Sequence, residues 1–151
     1  MRARKLSTVL VLALGLAVPA AAQNVMYDCQ ITKGGEAGTW IGTRLALIVE
    51  ESGAARAVDN VTITFVEGGS AAARLTRRGD TLRFSWNVAG ASDSRQQNIP
   101  TFTYTANLNT GTGAVRVRAK PVRFPQSWSG SGTCTPRSDM SVRELNRLLR
   151  G

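Results

Sequence analysis

The chain has 151 residues, of which 19 are Lys or Arg and 10 are Asp or Glu, so its formal net charge is +9. It contains no histidine, which excludes Ser-His-Asp and Cys-His catalysis and histidine-based zinc sites. No spacing singles out a pair of carboxylates suited to glycoside hydrolysis. We therefore expect a protein that is not an enzyme, with no catalytic residues, no bound metal and no cofactor.

The N-terminal 22 residues have the three parts of a secretory signal peptide. A basic segment over residues 1–5 precedes an apolar run over 6–18, and Ala20-Ala21-Ala22 offers a small-residue cleavage site. The apolar run is shorter than the roughly 20 residues of a membrane-spanning helix. We expect a signal peptide over 1–22, a periplasmic or secreted protein, and no transmembrane segment in the mature chain.

The two cysteines of the chain, Cys29 and Cys134, lie near opposite ends of the mature sequence. In an oxidising compartment such a pair most simply forms one disulfide. A bridge that closes about 100 residues stabilises the fold by up to roughly 4–5 kcal/mol in the chain-entropy model. It would also bring the first and last segments of the domain together, so the chain could close on itself.

Apolar and polar residues alternate along most of the chain, which is the period of a half-buried strand. This pattern predicts strands over 25–32, 41–50, 55–58, 61–65, 71–77, 82–88, 101–108, 115–120 and 128–134. Gly-rich turns separate them, the longest polar loop covers 89–100, and no helix is expected between them. The domain over 23–137 is therefore predicted to be all-β: an antiparallel meander of eight or nine strands. We favour a closed or nearly closed barrel, with a β-sandwich as the alternative.

The C-terminal residues 138–151 have a different period. Ser141 and Glu144 have the spacing of a capping box, and an apolar stripe at helical spacing follows, formed by Val142, Leu145, Leu148 and Leu149. These features predict a short amphipathic helix. Because so short a helix is marginal alone, we expect it to dock on the outside or across one end of the barrel.

A basic stripe is the most prominent surface feature that the sequence predicts. Arg116, Arg118 and Lys120 alternate with apolar residues and so share one strand face, and Arg123 extends the set. Arg74 and Arg83 could join it if neighbouring strands align. A row of such side chains can bind phosphate or carboxylate groups. The alternatives are a solvated face or charged protection of an edge strand. Nucleic acid is not an expected partner, because no nucleic-acid-binding motif is present.

The tripeptide Gly38-Thr39-Trp40 resembles the G-x-W signature of lipocalins. The resemblance implies an eight-stranded barrel that holds a small apolar ligand and is closed at one end by Trp40. Trp86 lies in the apolar stripe over 82–88 and is the second candidate for ligand contact. For both tryptophans the alternative is packing in the core.

Over residues 25–134 the chain also resembles uncharacterised exported single-disulfide β proteins of Alphaproteobacteria. The segments that carry this resemblance are Tyr27-Asp28-Cys29, Gly38-Thr39-Trp40-Ile41, Phe84-Ser85-Trp86 and Gly130-Ser131-Gly132-Thr133-Cys134. It implies a bacterial periplasmic setting. The predicted function is a non-catalytic binding module for a small apolar ligand or an anionic envelope component. The alternative is a structural or inhibitory protein that acts through a protein partner.

Overall fold

The computed structural model describes residues 24–36, 39–92, 98–138 and 147. The predicted signal peptide over 1–22 lies outside the described residues. The predicted C-terminal helix over 138–151 also lies outside them, apart from Ser138 and Arg147.

Eight strands follow one another in a closed antiparallel barrel. They are β1 Val25–Lys33, β2 Arg44–Val49, β3 Ala55–Asp59, β4 Ala71–Arg78, β5 Thr81–Ser92, β6 Asn98–Asn109, β7 Ala114–Pro121 and β8 Trp128–Arg137. Each strand pairs with the next along the chain, and β8 pairs with β1. The predicted all-β meander barrel is therefore confirmed, and the sandwich alternative is excluded because the sheet has no open edge.

Because apolar and polar residues alternate along the strands, one face of each strand supplies the apolar side chains that fill the interior of the barrel. Every second residue of the central strands is buried and 0–3 % exposed: Leu82, Phe84, Trp86 and Val88 on β5, Phe102, Tyr104, Ala106 and Leu108 on β6, and Val115, Val117 and Ala119 on β7. Large and small residues pair across strands, as Phe84 does with Ala106 and Tyr104 with Ala119. Each fully buried large apolar side chain stabilises the fold by about 1.5–3 kcal/mol.

A disulfide closes the seam between β1 and β8. Cys29 and Cys134 are direct partners in the strand register, and their Cα atoms lie 3.9 Å apart. The predicted disulfide is confirmed. Close by, a Cβ atom on Gly132 would collide with the backbone carbonyl oxygen of Gln30, so the close approach of these strands requires glycine there. A structural disulfide fits an oxidising compartment outside the cytoplasm.

One predicted strand, 61–65, is wrong, and so is the expectation that no helix lies between the strands. These residues form helix α1, Asn60–Phe65, which a 3₁₀ turn, Glu67–Gly69, follows. Asp59 caps the helix: Oδ1 of Asp59 accepts from the Thr62 N–H at 2.7 Å, and the Asp59 N–H donates to Thr62 Oγ1 at 2.8 Å. This reciprocal cap satisfies donors that would otherwise be orphaned. Among the residues that the structure describes, no helix has the length and apolar character to cross a membrane.

The strands also differ in length from the prediction. The expected loop over 89–100 is partly sheet, because β5 continues to Ser92 and pairs there with Asn98 of β6. In contrast, β2 begins only at Arg44, so Trp40 precedes it. Backbone pairing extends strands without any need for an alternating side-chain pattern, so the alternation alone did not predict the longer hairpin.

The barrel has a second apolar cluster on the outer side of β1–β3. Met26, Ala46, Ile48 and Val58 are 0–5 % exposed, and Ile63 of α1 packs against them. The near-continuous apolar run of β2 is typical of a strand that is buried on both faces. Beside this outer cluster, Arg44 Nη2 and Asp28 Oδ2 form an ion pair at 3.0 Å.

Candidate anion-binding face

The outer side of β7 presents a row of cations. Arg116, Arg118 and Lys120 are exposed, whereas the residues between them are buried. Neighbouring members of the row are about 7 Å apart along the strand, because side chains on one face repeat every second residue. The predicted common face of these three residues is confirmed.

The strand register extends this row across the sheet. Asn107 of β6 pairs with both Arg83 of β5 and Arg116 of β7, so only one strand separates the two arginines. Two strand spacings correspond to about 10 Å. Arg74 of β4 is connected to Arg118 of β7 by successive cross-strand pairs through Ser85 and Thr105. Two strands therefore separate Arg74 from Arg118.

We name as the basic face the cations that lie closest together on this side of the barrel: Arg83, Arg116, Arg118, Lys120 and Arg123. Three depressions join them. One of about 490 Å³ is lined by Arg83, Arg116 and Arg118 together with Lys33. The second, of about 410 Å³, is lined by Arg118, Lys120 and Arg123, and the third, of about 360 Å³, by Arg78 and Arg83.

Neighbouring depressions share lining residues and therefore adjoin one another, and we refer to the three together as the groove. Thr105 and Arg118 line both of the larger two, while Arg83 and Asn107 line both the first and the third. The lining of the largest depression also includes small side chains, such as those of Ser129 and Ser131 of β8. An extended anion could therefore contact several cations at once.

The strands on this half of the barrel carry no carboxylate. Strands β4 to β8 contain no Asp or Glu but eight basic residues: Arg74, Arg77, Arg78, Arg83, Arg116, Arg118, Lys120 and Arg137. With loops included, residues 71–137 contain two acidic and ten basic residues, whereas residues 24–67 contain six acidic and three basic residues. Such a one-signed surface produces a local field that attracts anions.

Among the described residues, the cations of the basic face have no carboxylate partner. In the described part of the chain the only ion pair is Asp28–Arg44, which joins β1 and β2. Arg118 Nη2 donates to Ser127 Oγ at 3.2 Å, which leaves most of the guanidinium donors of this residue available. Guanidinium groups suit this purpose because their planar donors match phosphate and carboxylate oxygens in pairs.

The two tryptophans proposed as ligand contacts pack against other aromatic rings. Trp86 is buried, and its ring stacks on Tyr104 with centroids 5.2 Å apart. Trp40 stacks on Phe102 at 4.3 Å near one end of the barrel, and its carbonyl oxygen accepts a hydrogen bond from the Tyr104 hydroxyl at 2.9 Å. These contacts agree with the core-packing alternative for both residues.

A buried titratable pair lies inside the barrel, which the sequence did not indicate. Burial raises the pKa of Asp59 to about 6, although hydrogen bonds from Thr62 and Val61 partly offset the effect. Burial, together with the negative charge of Asp59, raises the pKa of Tyr104 above its ordinary value. Neither group faces the basic face, and Asp59 serves as the cap of α1.

Comparison with known proteins gives no further guide. No protein-family model matches the chain. No curated protein and no solved structure matches it either. The groove itself was only partly foreseen, because Lys33 and Arg78 were not among the predicted residues. The available signal was the near-absence of acidic residues over 71–137, where the sequence has only Asp80 and Asp93.

Proposed function

We propose that this protein is an exported, non-catalytic module that binds an anionic component of the cell envelope through the basic face. The observation that carries the proposal is the groove, whose cations on β5 and β7 have no carboxylate partner among the described residues. Exposed cations contribute little to the free energy of folding, so a cluster of them is better explained by binding to an external anion.

The packing of the interior supports the outer face over an internal apolar ligand. The inward side chains of β5–β7 are almost completely buried and contact one another. A ligand inside the barrel would have to displace Phe84, Trp86 or Phe102, and opening such a core costs several kcal/mol. The groove requires no rearrangement.

A structural or inhibitory role through a protein partner is the alternative function. An acidic protein surface could also meet the basic face, but the depressions favour an anion whose phosphate or carboxylate groups can enter them separately. Such groups can contact Arg83, Arg116 and Arg118 in turn.

Charge reversal tests the proposal. In R116E/R118E, two central cations of the groove become anions, and we expect the affinity of the purified exported protein for dextran sulfate to fall by at least about ten-fold, because two favourable contacts become repulsive. The matched control is R77E/R137E, which has the same change in net charge on β4 and β8 outside the groove. Isothermal titration at constant ionic strength measures both affinities. Equal losses in the two variants would reject a specific face in favour of net charge.

Export is a separate element of the proposal. We propose the periplasm as the location, supported by the disulfide and by the predicted signal peptide. N-terminal sequencing of the protein recovered from the periplasm of an expression host should begin at Gln23. An uncleaved or cytoplasmic protein would contradict this location.

A further inference from the structure

The loop that follows β7 exposes apolar side chains beside the basic face. Val122 is 40 % exposed and Phe124 is 47 % exposed, and these are the exposed large hydrophobic residues of the described chain. Both immediately flank Arg123, and Val122 also lines the depression that contains Lys120 and Arg123. Side chains of opposite character therefore occupy one small region at an end of the barrel.

The backbone holds these side chains outward in a defined turn. The Phe124 N–H donates to the Pro121 carbonyl at 3.4 Å, and the Val122 N–H donates to the Thr101 carbonyl at 2.9 Å. Arg123 has a φ of 72°, and no other non-glycine residue of the described ranges has a positive φ. Left-handed backbone costs an ordinary residue about 1–2 kcal/mol. Retained strain of this kind is frequent where a loop has a functional role.

We propose that this turn docks the protein on the surface of an anionic phospholipid membrane. Val122 and Phe124 enter the interfacial region of the bilayer, while Arg118, Lys120 and Arg123 bind headgroup phosphates. The combination of apolar side chains with neighbouring cations is the arrangement that binds such interfaces, because burial and electrostatic attraction act together. This inference rests on the proposed function and names the anion as a lipid headgroup.

The apolar residues decide between a membrane and a soluble polyanion. A polysaccharide or polyphosphate would satisfy the cations but would leave Phe124 and Val122 in water. A protein partner large enough for stable binding buries about 800 Å² on each side, far more than these two side chains present. A bilayer has no such minimum area, because two apolar side chains can enter its interfacial region while the neighbouring cations contact headgroups on all sides.

The test uses the purified exported protein and two probes, phosphatidylglycerol–phosphatidylcholine vesicles and soluble dextran sulfate. We expect V122S/F124S to lose vesicle binding by about ten-fold and to keep its affinity for dextran sulfate. R118E/K120E should lose both. Pure phosphatidylcholine vesicles should bind neither the original protein nor its variants. Because Val122 and Phe124 are on an exposed turn, unchanged thermal unfolding is the control for folding.

The outcomes separate this inference from the proposed function. Binding to dextran sulfate without binding to anionic vesicles would overturn the membrane inference and leave the proposed function standing. Vesicle binding that V122S/F124S does not reduce would also overturn it. If the original protein binds neither probe, both the membrane inference and the proposed function are overturned. As a second measurement, F124W should show a blue shift of its added fluorescence on anionic vesicles, and an unshifted signal would contradict insertion.

Discussion

At the scale of single residues, Asp59 shows how a buried charge can be kept for a structural purpose. Its carboxylate caps α1 through the Thr62 N–H, yet burial raises its pKa from 3.8 to about 6. In the unfolded chain the carboxyl group ionises near 3.8, so between these values the folded state binds more protons. Its contribution to stability is therefore fully present below pH 3.8 and is lost as the pH rises through about 6.

This sign leads to a prediction for Asp59→Asn. The free energy of unfolding of the original protein should fall by about 2 kcal/mol between pH 4 and pH 7 on account of this group, since one pKa unit corresponds to about 1.36 kcal/mol. The asparagine variant keeps an acceptor oxygen for Thr62 but does not titrate, so this part of the fall should disappear. Urea unfolding at several pH values measures the difference. The same pH profile in both proteins would show that Asp59 is not the responsible group.

Single residues also mark where sequence reasoning succeeded. The inward stripe of β5 and the row Arg116, Arg118 and Lys120 were predictable, because an alternating pattern assigns each residue to one of two faces. The conformation of Arg123 was not, since nothing in its neighbours requires a positive φ. The raised pKa of Asp59 was equally hidden, because it depends on chain segments that are distant in sequence.

At the scale of elements, α1 is the clearest failure of the periodic pattern. Val61, Thr62, Ile63 and Phe65 have the composition of a strand, and β-branched residues are weak helix formers. The cap at Asp59 and Thr62 overrides that preference, but Thr62 takes the place where a capping box usually has Glu or Gln. A search for the usual motif therefore does not detect this one.

The outer apolar cluster gives the predicted C-terminal helix a candidate docking surface. β8 ends at Arg137, and the strand register pairs this residue with Met26 of the cluster. The predicted stripe of Val142, Leu145 and Leu148 matches the cluster in character, so we expect the helix to cover it.

Removal of residues 139–151 tests this expectation. The shortened protein should lose about 2–4 kcal/mol of unfolding free energy, because Met26, Ile48 and Val58 would become accessible to water. It should also bind the dye ANS more strongly than the full chain does. Deletion of Gly151 alone is the control. Unchanged stability and dye binding in the shortened protein would show that the C-terminal residues do not cover this cluster.

At the scale of the whole molecule, barrel closure and charge segregation act together. The disulfide and the β1–β8 pairing leave no edge on which another strand could add, so the cations of β7 cannot be explained as protection of an edge strand. Closure also fixes the order of strands around the barrel, which places the carboxylate-free strands side by side. The positively charged half of the barrel therefore results from two facts: these strands have basic but no acidic residues, and the topology makes them neighbours.

The architecture of the whole molecule was accessible from the sequence because two independent signals agreed. Alternation predicted antiparallel strands, and the position of Cys29 and Cys134 predicted that the ends meet. The choice of binding surface was not accessible in the same way. Whether Trp40 and Trp86 line a cavity or pack against Phe102 and Tyr104 depends on side-chain volumes summed over the complete barrel.

Residue-by-residue mapping of the bound anion decides between the outer face and the interior. In a titration of the ¹⁵N-labelled protein with short-chain polyphosphate, the amide shifts of residues 83, 105, 107, 116, 118 and 120 should change together and saturate. The amides of Trp40, Trp86 and strands β2 and β3, which line none of these depressions, should keep their positions. Changes concentrated on the interior residues or on β2 and β3, with the basic face unaffected, would contradict anion binding at this groove.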